Sequence, residues 1–243
     1  MGTERRPQGI RREPAVLIVP QGRVAVVGAP GRPDGIGGES LAQLHPAEAS
    51  FAEGLAGWAR HDFVFGRLAA RHLLGPESGP VLRAEGGAPA FPDGFRGSIT
   101  HKRSLAAALL AHRGDWAVGI DLELTTGAPI PALKKRVATV RELERLPENA
   151  DLALVATFAV KEAIYKALWP WVRRFVAFRE AHVTLSPTIA GHAEVELDLA
   201  AAEGPFEIQA SVLLLDQDLQ PRHAGSAADS EIVIATTAIR PRP

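Results

Sequence analysis

Cysteine is absent from all 243 residues. Disulfides, zinc–thiolate sites and thiol nucleophiles are therefore excluded, and a reducing compartment is compatible with the chain. An excess of either charge is also lacking: 27 Lys+Arg stand against 28 Asp+Glu, for a net charge of −1. No global basic field attracts nucleic acid, and no polybasic block suits an anionic membrane. Affinity for phosphate must come from a local cluster. Long apolar runs are missing too. AVLIVP at Ala15 to Pro20 falls far short of the ~20 residues that cross a bilayer. The start, MGTERRPQGIRREP, carries no apolar segment of the kind a secretory leader needs. A cytoplasmic protein that engages neither nucleic acid nor membrane is the expectation. Against these absences, hydrophobic residues make up 46% of the chain, enough for one large domain or two small ones with ample core.

Met1–Pro14 is expected to be disordered. Ala15 to Gly28 has β-branched clusters around a Gln-Gly turn and predicts a strand pair. Glu48 to Leu74 has a helical pattern that Gly75 and Pro76 end. Pro80 to Gly97 is loop-rich, and a helix is expected at about Lys102 to Arg113. Trp116 to Leu124 predicts a buried strand. Thr125–Pro131 holds Gly and Pro and marks the internal boundary, giving subdomains at 15–125 and 126–243. Beyond it come helices at Ala132 to Leu146 and Asp151 to Trp169. Strands follow at Ala181–Leu185, Glu194–Leu199, Phe206–Leu215 and Glu231–Ile239, with an exposed loop over Pro221–Ser230. The fold class is α+β, sheets covered by helices.

Three stretches carry chemistry. In the strand Val118 to Glu123, residues two apart share a face, so Asp121 and Glu123 project together while Ile120 and Leu122 point into the core. Two adjacent carboxylates repel, and a hard divalent cation relieves that repulsion; Mg²⁺ takes one or two carboxylates and completes its shell with water and phosphate oxygens. In FAVKEAIYKAL, Phe158, Glu162 and Lys166 recur at i, i+4 and i+8 on one helix stripe, while Ala159, Ala163 and Ala167 permit close packing. Ser98, Thr100 and His101 precede the expected helix, whose start would favour an anion, with Lys102 and Arg103 adding positive charge. Each stretch alone also has a plain structural account: an exposed acid pair, a surface ion pair, a helix cap. Trp169 to Phe175 is an aromatic tract, either a packed connection or an exposed docking surface.

In this order the stretches resemble the 4′-phosphopantetheinyl transferases of the larger, Sfp-type class. That family shows Ser-x-Ser/Thr-His, then Gly-x-Asp-x-Glu, then Trp/Phe-x-x-Lys-Glu-Ala-x-x-Lys. The chain has Ser98-Ile99-Thr100-His101, Gly119-Ile120-Asp121-Leu122-Glu123 and Phe158 through Lys166. Upstream, Arg60-His61-Asp62-Phe63 with Gly66-Arg67 and Ala70-Arg71 is similar to the family's Arg-rich helix, and Arg83 to Pro89 to its Arg-bearing loop. Phe158 stands where Trp is commoner, and the loop Gly86-Gly87-Ala88 lacks a lysine found in some relatives.

The resemblance implies two similar α+β subdomains packed as a pseudo-dimer, with the site in the cleft between them. It implies Mg²⁺ on Asp121, Glu123 and Glu162. Coenzyme A would meet His101, with Ser98 and Thr100 nearby, and Arg60, Arg67 or Arg71, Arg83 and Lys166. The acceptor would be a serine of an acyl or peptidyl carrier protein, its proton taken by Glu162, or by Glu142 through a water. A monomer is expected. The same acids and lysine would also serve a Mg²⁺-dependent phosphodiesterase or nuclease, and the fold without its chemistry would be a carrier-binding module.

Overall fold

The computed structural model describes residues 14–84, 86–102, 104–111, 114–221 and 232–242. The expected disordered start (all but Pro14), Arg103, Arg113 and the Pro221–Ser230 loop beyond Pro221 lie outside the described residues. The first half contains β1 (Ala15–Val19), β2 (Gly22–Gly28), α1 (Gly38–Ala42), α2 (Pro46–Glu53), α3 (Gly57–Leu74), β3 (Leu82–Arg83), β4 (Pro89–Ala90), β5 (Gly97–Lys102) and β6 (Leu105–Ala111). Its antiparallel sheet has the order β1-β2-β6-β5, with β3 and β4 as a separate ribbon. The second half contains β7 (Ala117–Leu124), α4 (Ile130–Arg136), α5 (Val140–Leu143), α6 (Ala150–Val172), β8 (Ala181–Leu185), β9 (Gly191–Leu197), β10 (Phe206–Leu215) and β11 (Ile232–Pro241). These strands form a second antiparallel sheet in the order β7-β11-β10-β9-β8.

The layers follow from strand alternation. Val24, Val26, Ala107 and Leu109 of the first sheet share a buried core with Val118, Ile120, Leu122 and Ile234 of the second, so the sheets pack face to face. The opposite face of the first sheet (Ala25, Val27, Ala106, Ala108) is covered by α3 through Phe63, Val64 and Leu68. The opposite face of the second (Val233, Ala235, Ile239) is covered by α6 through Ala156, Val160 and Ile164. Each half is thus a long helix on an antiparallel sheet, the two-subdomain α+β arrangement that was expected.

Three expectations are corrected. The predicted helix at Lys102 to Arg113 is a hairpin, β5 into β6. Ala and Leu favour helix, but LAAALLA is buried on both faces, with Leu105, Ala107 and Leu109 toward the second sheet and Ala106, Ala108 and Leu110 toward α3. A doubly buried strand reads as a continuous apolar run, and periodicity cannot tell it from a helix. The helix expected over Glu48 to Leu74 is two, broken between Glu53 and Gly57, where Gly57 takes φ +54. The boundary at Thr125 is misplaced as well. β7 pairs with β11 along its whole length, so the second half starts before Ala117 rather than at residue 126. The Gly/Pro stretch after β7 is only the crossover into α4.

Gly119 controls how closely α6 approaches. A Cβ there would lie 1.8 Å from the carbonyl oxygen of Ala163 and 3.0 Å from the amide nitrogen of Ala167. The strand and helix backbones are in contact, and no side chain fits between them. Gly119→Ala is expected to destabilise the fold by about 3 kcal/mol, since overpacking against backbone cannot relax through a rotamer change. The denaturant midpoint in chemical unfolding measures this, and an unchanged midpoint contradicts it.

Candidate active site

The odd-numbered residues of β7 face α6. Lys166 Nζ donates to Asp121 Oδ1 at 2.8 Å and to the Ile120 carbonyl at 2.8 Å. Thr100 Oγ1, from β5 of the first half, donates to the same Asp121 oxygen at 3.0 Å. Asp121 Oδ2 is buried and has no hydrogen-bond partner. Lys102 Nζ lies 2.7 Å from Glu123 Oε2, a second link between the halves. Ser98 Oγ accepts from the Ile120 amide at 3.2 Å, pinning β5 beside β7. The site thus forms where β5, β7 and α6 meet, and both halves contribute to it.

Burial raises Glu162 above the ordinary carboxyl range, and the negative charges of Asp121 and Glu123 push it further, against the pull of Lys166 and Lys102. Burial raises Glu123 also; the Lys102 hydrogen bond opposes this and Asp121 adds to it. The three acids named from the sequence therefore feel one another directly. They are hard oxygen donors of the type Mg²⁺ prefers, and the partnerless Asp121 Oδ2 leaves one of them unsaturated. Among the described residues, no group of three or more His, Asp or Glu side chains is already arranged to hold a metal ion. In this conformation the ammonium groups of Lys166 and Lys102 supply the compensating charge. In donor type and in unmet valence, the residues fit the ion.

His101 is half exposed on β5, not at a helix start. Its Nδ1 stands 3.3 Å from Asp62 Oδ2 of α3. Burial lowers its pKa, with Asp62 acting in the opposite sense. No helix begins there, so no helix dipole favours an anion at this position, contrary to expectation. Asp62, part of the Arg-rich stretch, and Lys102 join the site although the sequence motifs assign neither a role there. Asp62 has Trp58 and Gly66 four residues to either side, so no Lys or Arg one turn away pairs with it, a signal available in the sequence; its partner on the same helix is His61, whose Nδ1 lies 3.2 Å from Oδ1.

The other candidates separate into free and engaged. Arg67 is buried, donating from Nε to the Val81 carbonyl at 2.8 Å and from Nη2 to the Leu82 carbonyl at 3.0 Å. Its guanidinium lies 4.1 Å from the Phe63 ring centroid, and burial pushes its pKa down to about 10. Arg71 pairs with fully buried Glu48 at 3.0 Å and donates to the Ser78 and Gly79 carbonyls. Both arginines tether the segment that carries Arg83, and these bonds occupy their guanidinium groups. Arg83 itself is exposed, and Arg60 has a buried Nε without a partner. Glu142 is engaged too. Its carboxylate accepts from the Thr139 amide at 2.6 Å, the Val183 amide at 2.8 Å and Lys161 Nζ at 2.9 Å, so it is a buried pin between α5, α6 and β8.

A family model described as the 4′-phosphopantetheinyl transferase N-terminal domain matches residues 56–111, and one described as the 4′-phosphopantetheinyl transferase superfamily matches 117–224. The break between them coincides with the β6–β7 connection. The 4′-phosphopantetheinyl transferase Npt of Nocardia iowensis is 37% identical over 58% of this chain and 66% of its own length. PptT of Mycobacterium tuberculosis is 31% identical over 60% of this chain and 67% of its own. Svp of Streptomyces mobaraensis is 32% identical over 61% and 64%. The chain thus spans about two thirds of the length of these curated relatives.

Two stability predictions follow from the charges. The folded chain holds protons on Glu162 and Glu123 to higher pH than the unfolded chain does. Their contribution is full below the ordinary carboxyl value of 4.5 and is lost as pH rises through the raised folded value. With divalent cations chelated, Glu162→Gln should therefore melt higher than wild type near pH ~7, and the gain should vanish near pH ~4. A gain that persists at the acid end contradicts the repulsion argument. Arg71→Leu should cost about 3–5 kcal/mol, because it strands the buried Glu48 carboxylate; a melting temperature close to wild type would return Arg71 to the list of free cations.

Proposed function

The chain belongs to the 4′-phosphopantetheinyl transferase superfamily, and we propose from this premise that it transfers the 4′-phosphopantetheine arm of coenzyme A to a serine of an acyl or peptidyl carrier protein, releasing adenosine 3′,5′-bisphosphate. The observation that carries the proposal is the junction of β5, β7 and α6, where Asp121, Glu123 and Glu162 share one electrostatic environment with Lys166 and Lys102. It supports the larger, Sfp-type form of the family, since both halves of one chain supply the site.

The serine hydroxyl attacks the β-phosphorus, and the bond to the leaving 5′-phosphate oxygen breaks. Glu162 accepts the serine proton, from its place among Asp121, Glu123 and Lys166. Lys166 is held over Asp121 by two hydrogen bonds, and its ammonium neutralises charge on the pyrophosphate oxygens as the leaving group departs. Asp121, Glu123 and Glu162 would hold Mg²⁺, which supplies Lewis-acid neutralisation of the pyrophosphate when bound. Thr100 and Ser98 set the position of Asp121 and of the β7 backbone. His101 and Arg83, both exposed enough to reach solvent, meet the remaining phosphates of coenzyme A. Among the described residues no helix is long and apolar enough to cross a membrane. A cytoplasmic monomer is the proposed setting.

Incubating the protein with coenzyme A, Mg²⁺ and an apo-carrier should add one phosphopantetheine to the carrier, read by intact mass. Asp121→Asn keeps the shape of the side chain and removes its charge, so the fold should persist while the rate falls on the order of 10²-fold or more. Arg83→Ala should raise KM for coenzyme A with little change in melting temperature. A carrier whose mass does not change under saturating coenzyme A and metal would end the proposal.

A further inference from the structure

Two titratable groups of α3 stand in a row with His101, and the chemistry above uses neither. Asp62 lies between two imidazoles. Its Oδ1 is 3.2 Å from His61 Nδ1, and its Oδ2 is 3.3 Å from His101 Nδ1. Asp62 falls beyond the first turn of α3, which holds no acid. The dipole at a helix start acts within that turn, so it does not account for a carboxylate here. The ion partners that Asp62 has are both histidines.

The row is held from behind. His61 is 1% exposed. Its ring packs 5.0 Å from that of Trp58 and 4.8 Å from that of Phe65. Its Nε2 lies 2.7 Å from the Pro30 carbonyl oxygen. A carbonyl only accepts, so this nitrogen carries a hydrogen, and Nδ1 is the edge that faces Asp62. One carboxylate oxygen is thereby fixed, and the other is aimed at His101. The spacing between helix and strand is fixed as well. Asp62 and Gly66 are four apart on α3, and His101 and Ile99 are two apart on β5, so each pair shares a face. Such steps span about 6 Å on a helix and about 6.6 Å on a strand, nearly the same length. A Cβ at Gly66 would stand 2.8 Å from Ile99 Cγ2. The helix closes on the strand at Gly66, and this sets Asp62 opposite His101.

The His101 ring has one edge bound and one edge free. A carboxylate oxygen accepts, so the hydrogen on Nδ1 points to Asp62 and Nε2 is left for a ligand. A phosphate oxygen also accepts. Nε2 must then carry a hydrogen too, and the ring is cationic. Burial works against that charge and lowers the His101 pKa. Asp62 is the first influence to oppose this; Lys166 of α6 and His61 lower it further, and Asp121 of β7 raises it. We propose that Asp62 is a positioning residue: buttressed by His61, it holds the His101 ring with Nδ1 toward α3 and Nε2 toward a phosphate of coenzyme A. The identity of that ligand rests on the function proposed above. The orientation of the ring rests on α3 and β5 alone.

The test uses the full chain with Asp62→Asn, Asp62→Glu, His101→Ala, and Asp62→Asn combined with His101→Ala. In protein labelled with ¹⁵N-histidine and free of ligand, long-range ¹H–¹⁵N spectra report tautomer and titration, and His101→Ala identifies the His101 signals. Wild type should show His101 protonated on Nδ1. An asparagine amide can donate to Nδ1 as well as accept from it, so Asp62→Asn should lose that preference, and its His101 should titrate at lower pH. Asp62→Glu keeps the charge and should stay closer to wild type. In transfer assays with an apo-acyl carrier protein, Asp62→Asn should raise KM for coenzyme A about tenfold, with a smaller effect on kcat. The rise should be smallest at acid pH, where the ring is charged in both proteins. The same substitution should add nothing in the His101→Ala background, because Asp62 acts through that ring. A tautomer and titration unchanged by Asp62→Asn overturn the proposal. An equal loss in the His101→Ala background overturns it too, since it marks a merely structural role. The expected spectra in a protein that transfers nothing to the carrier uphold the positioning of the ring and overturn the reaction proposed above.

Discussion

Helix α6 lies against strand β7 with backbone touching backbone, and this contact comes before everything else at the site. Gly119 provides the space, because any side chain would meet the Ala163 carbonyl. Ala159, Ala163 and Ala167 complete the close approach as fully buried small residues. Only at that separation can the Lys166 ammonium reach both the Ile120 carbonyl and the Asp121 carboxylate. The same approach brings Glu162 into the field of Asp121 and Glu123. Packing thus sets the distances, and electrostatics acts within them. The first half adds Thr100 and Lys102 from β5, so the cluster is complete only when the sheets are stacked.

The charged groups divide by whether their valences are met. Glu142, Glu48 and Arg174 are saturated: three donors on Glu142, buried pairing for Glu48, two carboxylates on Arg174. Such groups hold segments together. Asp121 keeps a bare buried oxygen, and Glu162 is raised by burial and by its neighbours. Unmet valence beside mutual repulsion is the condition in which a cation or a transferring proton is welcome.

The arginines of α3 show how a sequence pattern can serve structure. Arg67 and Arg71 each bond two carbonyls of residues 78–82, and so fix the segment that leads into Arg83. An Arg-rich helix suggests phosphate, yet a guanidinium with five donors is equally suited to gathering the carbonyls of the segment that leads into β3. Lys161 behaves alike, bonding the Val137 and Phe178 carbonyls as well as Glu142. Of the two lysines in the FAVKEAIYKAL stretch, one holds the fold and the other faces the acids.

The sequence by itself determined whatever depends on local period. Alternation on β7 separated Asp121 and Glu123 from Ile120 and Leu122, and the stripe on α6 placed Glu162 with Lys166 one turn apart; both hold in the structure because side-chain direction within one element follows from backbone geometry alone. Only the tertiary structure decided that LAAALLA is a strand, that β7 joins the second sheet, that Glu142, Arg67 and Arg71 are occupied, and that Asp62 reaches His101. Those outcomes rest on partners drawn from residues far away in the chain, and no local period encodes which distant group will fill a valence or bury a face.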